Sequence, residues 1–104
     1  MAFDKWTLIQ QRGQFCACGC GGFASDAHHC CLPNLKRFAE YVNDERNIAL
    51  VSHAEHVGLR KFDNQHWRRE FYRQNVKRYG QEAMDAWINS LPAKLKYRLD
   101  FLQK

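Results

Sequence analysis

The chain has no run of about 18 apolar residues, which a membrane-spanning helix would need. Its opening segment, MAFDKWTLIQQRG, carries Asp4 and Lys5 where a secretory signal would need unbroken apolar sequence. Neither span nor export is expected, which points to the cytoplasm and to no membrane partner. No internal repeat and no low-complexity linker divides the 104 residues, so they read as a single domain, 1–104. No C-x-x-C pair occurs among the five cysteines. That absence removes the commonest zinc-ribbon spacing. An odd cysteine count without an export signal also excludes a disulfide-stapled secreted mini-protein.

What is present suffices for one modest core, with 45% hydrophobic and 13% aromatic residues. Sixteen Lys and Arg against eleven Asp and Glu leave a net charge of +5, compatible with a polyanionic partner. Asp4 and Gly13 bracket a short helix with Trp6, Leu8 and Ile9 inward. Three glycines in four positions around Cys20 mark a tight knuckle, followed by a strand-like passage into His28-His29. Asn34 caps a helix through Leu35, Phe38 and Val42, and the run from Arg46 to Val51 is β-compatible. Ser52 and Glu55 have capping-box spacing, which places His53 and His56 in the first turn of a helix. A long helix capped by Asn64 uses Trp67, Phe71 and Val76 and stops at Gly80. A last helical region carries Met84, Trp87, Ile88 and Leu91, breaks at Pro92 and resumes through Leu95, Leu99 and Leu102.

The order is thus loop, strand with a histidine pair, insertion, second strand with Asn47, and a helix opening at His56. Asp26-Ala27-His28-His29 with Pro33 shortly after, Asn47, and His56 nine positions later resemble the HNH, or ββα-metal, nuclease family. The motif covers Asp26 to His56, and a softer likeness to small phage-type HNH proteins extends from Cys16 to about Leu99. The resemblance implies an α+β fold, with a ββα-metal (HNH, or His-Me finger) core over residues 16–62 and a helical extension over 63–104.

It also implies an activity, the metal-dependent hydrolysis of DNA phosphodiesters. Such hydrolysis needs a nucleophile made from water, a cation against the charge on the phosphate, and stabilisation of the leaving alkoxide. By resemblance His29 is the general base, and His28 and His56 bind a divalent metal, Mg²⁺, Mn²⁺, Ni²⁺ or Zn²⁺. Asn47 orients the base, Asp26 supports the site or adds a ligand, and the products carry a 5′-phosphate and a 3′-hydroxyl. His53, one turn before His56, is a further ligand candidate. Relatives with a structural zinc carry cysteines five and eight positions after the asparagine. Here those positions are Ser52 and Glu55, so that zinc site is not completed in the usual way. Arg60 stands where other relatives have a further histidine.

Cys16, Cys18 and Cys20 have C-x-C and C-x₃-C spacings, and Cys30 or Cys31 would complete a tetrahedral structural zinc. The alternative is a set of small buried thiols. Arg60, Lys61, Arg68, Arg69, Arg73, Lys77 and Arg78 surround the long helix among interleaved aromatics. Such a face is either merely solvated or a track for DNA phosphates. His66 reads as an ordinary surface histidine. The competing functions are a catalytically idle, zinc-stabilised DNA-binding module and a nuclease-like subunit of a larger phage assembly. Cutting both strands would call for a homodimer.

Overall fold

The computed structural model describes residues 3–103, without the side chains of Phe101 and Gln103. It is a small α+β protein built on a two-stranded antiparallel sheet. Helix α1, Lys5–Arg12, ends at Gly13, whose φ of 97° closes the helix in the left-handed region. A hairpin follows in which Phe15 bridges Phe23, Cys16 N–H donates to the Gly22 carbonyl at 2.8 Å and Ala24 N–H to Gln14 at 2.8 Å. Its tip turns through Gly19 and Gly21 at φ 83° and 87°, where a side chain would have room but a strained backbone.

Strand β1, Asp26–His29, pairs with β2, Ile48–Val51, with His28 opposite Ala49 and His29 opposite Ile48. Between them lie a 3-10 turn, the short helix α2 (Ala39–Val42) and a second 3-10 turn, Glu45–Asn47. Alternation along the strands divides the core. Ala49 and Val51 join the larger cluster with Phe62, Phe71, Met84, Trp87, Leu91, Leu95 and Leu99. Ile48 and Leu50 face Leu8 of α1 on the other side. After β2 a single π-helical turn, Ala54–Gly58, leads to α3 (Gln65–Tyr79), α4 (Gln81–Ser90), α5 (Ala93–Lys96) and a closing 3-10 turn. Among the described residues no helix is long and apolar enough to cross a membrane.

Three expectations about these elements need correction. Trp6 is 68% exposed rather than inward, because α1 buries one narrow stripe through Leu8. Asn34 caps no helix: the segment after it starts as a 3-10 turn with Leu35 at the cap position. Ser52 and Glu55 form no capping box, since Ser52 Oγ donates to the Glu55 carboxylate at 2.9 Å and the helix is a single π turn. The Asn64 cap is present, its Oδ1 accepting from Trp67 N–H at 3.0 Å.

Candidate functional site

Asp26 and His28 stand two residues apart on β1, and His56 arrives from the turn after β2. His28 Nδ1 lies 3.2 Å from His56 Nε2, with the rings edge to face at 4.9 Å. The other nitrogen of His56, Nδ1, donates to Asp26 Oδ2 at 2.9 Å, which leaves a lone pair on Nε2 pointing towards His28. His28 Nδ1 can donate to that lone pair or, in its other tautomer, face it with a second one. His53 Nδ1 meets the same Asp26 oxygen at 2.9 Å, so His53 is turned to the carboxylate while His56 faces His28. Burial alone would raise the Asp26 pKa, but the bonds from His56 and His53 hold it below the usual carboxylate range. Burial, followed by the charge of His56, pushes His28 down to about 4, so its imidazole is neutral near neutral pH.

His29 points to the α1 side of the sheet, edge-on to Phe3. It still lines the same cleft as His28 and His56, together with Asn34, Asp63 and Arg68. Its Nε2 donates to Asn43 Oδ1 at 2.8 Å, which leaves Nδ1 as the basic nitrogen.

The role expected for Asn47 is therefore corrected. Asn47 is fully buried, and its Oδ1 accepts from Cys31 N–H at 3.0 Å and Leu32 N–H at 2.8 Å. Its Nδ2 donates to the carbonyls of Leu32 and Val42 at 3.0 and 2.8 Å. The chain turns sharply after β1, and the peptide groups released there need partners within the core. Asn47 supplies them, and the residue beside His29 is Asn43.

A second cluster forms at the knuckle. Cys16 Sγ is 3.4 Å from Cys18 Sγ, and Glu55 Oε1 is 3.6 Å from Cys16, 3.5 Å from Cys18 and 2.6 Å from Cys20. All four ligand atoms lie within 4.8 Å of one another, a group that can hold a metal ion. A tetrahedral zinc with bonds of about 2.3 Å would separate its sulfurs by about 3.8 Å, close to this spacing. Lys61 Nζ donates to Glu55 Oε2 at 2.7 Å and Ser52 to Oε1. Bonds from Cys20, Lys61 and Ser52 hold Glu55 down at about 2. Burial and bonds to Cys16 and Cys20 push the Cys18 thiol up to about 12, so a thiolate there calls for a cation in contact with sulfur. The fourth partner is thus Glu55, not Cys30 or Cys31. Those two are buried in the larger core cluster, their sulfurs 3.8 Å apart.

The basic residues differ in their surroundings. Arg68 lines the histidine cleft, whereas Lys61 is bound to Glu55. Arg73 pairs with Glu70, and Arg60 is exposed at a left-handed φ of 50°. Lys77 and Arg78 line a separate groove with Gln74. Arg69 is half-buried on α3, and His66 is exposed. Sequence reasoning missed Asn43, Asp63 and Glu55. For Glu55 the signal was its place eight residues after Asn47. Comparison with family models, curated proteins and solved structures gives no match for this chain.

Proposed function

We propose that the protein is a divalent-metal-dependent DNA endonuclease or nickase of the HNH type. The observation that carries this reading is the approach of His28 Nδ1 and His56 Nε2 at 3.2 Å in a cleft that also holds His29. These residues suit a cation: His28 is neutral, and Asp26 fixes the proton of His56 on the far nitrogen. His28 and His56 would hold the ion, with Asp26 behind them. A cation bound there supplies positive charge against the phosphate oxygens. His29 takes a proton from water at Nδ1 while Asn43 keeps the other proton on Nε2. Arg68, at the rim of the cleft, meets phosphate charge without reading sequence. Cys16, Cys18, Cys20 and Glu55 hold a structural Zn²⁺ in this reading, which pins the knuckle to the turn that bears His56.

The test is incubation of supercoiled plasmid with the protein and EDTA, Mg²⁺, Mn²⁺, Ni²⁺ or Zn²⁺, with His29→Ala in parallel. Metal-dependent nicking or linearisation that His29→Ala lowers by about 10²- to 10⁴-fold is expected. Full cleavage by the variant would remove His29 from the mechanism. A zinc-stabilised binding module is the second reading, favoured by Asn47 being engaged with backbone rather than with His29. A retarded plasmid with no cleavage under any metal would decide for it, or for a subunit of a phage assembly that needs its partner.

A further inference from the structure

A second groove lies on the β2 side of the sheet, lined by Ala49 and Leu50 where the histidine cleft is lined by Ala27, His28 and His29 of β1. Arg12, Phe15, Gln74 and Arg78 line it, and it is continuous through Ala17, Gln74 and Arg78 with a shallower depression that adds Lys77. Among the described residues the lining includes three cations and no carboxylate. Arg12 serves partly as a brace, donating to the carbonyls of Ile48 and Glu45 and to the Tyr79 hydroxyl. Its Nε nevertheless is buried with no hydrogen-bond partner among the described residues, and a buried donor left without an acceptor is costly. Arg78 donates to Asn75 Oδ1 at 2.5 Å, and desolvation, followed by the Arg12 charge, lowers its pKa. Arg78, with Lys77 beside it in the lining, is the cation this groove offers to an anion.

The rim adds a different chemistry. Phe15 is 60% exposed and stacks on Phe23, itself 67% exposed, with centroids 5.9 Å apart and planes 17° from parallel. Core packing explains neither ring, and the hairpin that carries them is the knuckle. Aromatic surface beside cations is the composition of a site for single nucleic-acid strands, where bases stack and phosphates pair. In an intact duplex the base faces cover one another and have nothing to offer Phe15.

We propose that this groove holds an unpaired segment of a DNA strand, with its phosphates on Arg78 and Lys77 and a base against Phe15. The choice of DNA rests on the nuclease reading, and the consequence is a preference for substrates with a single-stranded portion, such as a flap or an overhang, over blunt duplex.

Fluorescence anisotropy without added metal, on fluorescein-labelled oligo(dT) and a blunt hairpin of equal charge, tests it, with gels confirming that the probes stay intact. Oligo(dT) should bind at least tenfold tighter than the hairpin, and Phe15→Ala should weaken oligo(dT) about tenfold or more while leaving the hairpin unchanged. Arg78→Gln and Lys77→Gln should each reduce the salt slope for oligo(dT) by about 0.7. Circular dichroism verifies that each variant is folded. Equal affinity for the two probes, no effect of Phe15→Ala, or tighter binding of oligo(U) than oligo(dT) would overturn it. Failure here alongside plasmid cleavage leaves the nuclease reading standing. Binding through Phe15 without cleavage under any metal leaves the groove standing and the nuclease not.

Discussion

Glu55 and His56 are neighbours in the chain but belong to different clusters: Glu55 closes the cysteine group, and His56 faces His28. One peptide unit therefore joins the two groups. Whatever fixes Glu55 also fixes where His56 enters the cleft, and the π turn gives both side chains their directions.

Purified protein is expected to carry about one tightly held Zn²⁺ per chain by elemental analysis. Cys16→Ser should abolish it, and Glu55→Gln should weaken it at least tenfold. Both should lower the thermal midpoint, because metal binding of this kind is folding free energy. Full zinc retention in Cys16→Ser would place the metal elsewhere.

Asn43 and Asn47 should separate cleanly. Asn47→Ala leaves two backbone N–H groups and two carbonyls in the core without partners. Urea denaturation should show a loss of about 3 kcal/mol or more. Asn43→Ala should leave stability within about 1 kcal/mol and shift the pH profile of plasmid cleavage through His29. A pH profile that moves with Asn47→Ala but not with Asn43→Ala would reverse the two roles.

Asp26→Asn removes the carboxylate that His56 and His53 share. Cleavage and metal affinity should both fall by about 10- to 100-fold, with the fold intact by circular dichroism. Unaltered metal affinity by calorimetry would detach Asp26 from the site.

Acid should destabilise the protein through His28. Its folded pKa of about 4 lies below the ordinary 6.5, so the unfolded chain binds the proton more readily. The stabilisation is complete above about pH 6.5 and is lost as pH falls to about 4, by up to about 3 kcal/mol. Asp26, also depressed, loses its contribution in the same direction at lower pH. Denaturant midpoints measured from pH 7.5 to 4 in the presence of EDTA should fall with pH, less steeply for His28→Phe. A flat profile would mean that the imidazole is not desolvated.

The elements with a strong local period were legible: α1 between Asp4 and Gly13, α3 from its Asn64 cap to Gly80, and the break at Pro92. So was the gathering of Asp26, His28, His53 and His56, because the strand-turn order brings them to one end of the sheet. The companions of each residue were harder to read. The cysteine trio suggested further sulfur at Cys30 or Cys31, whereas a carboxylate 35 residues after Cys20 takes that place. Asn47 and Asn75 have no periodic signature, since their task is to satisfy backbone groups that exist only once the chain has turned. Arg12 reaches carbonyls up to 36 residues away, a pairing no local window contains.

The two strands are four residues each, too short to choose their own alignment against slippage. Asn47 holds the chain where it leaves β1, Asn75 donates to the carbonyls of Arg46 and Ile48, and Arg12 donates to the same Ile48 carbonyl. Together they act as index pins. A displacement of one residue would send His28 to the α1 side and His29 towards α3, exchanging the two imidazoles that the cleft keeps apart. Three polar side chains outside the histidine cleft thus keep His28 and His29 on their own faces of the sheet.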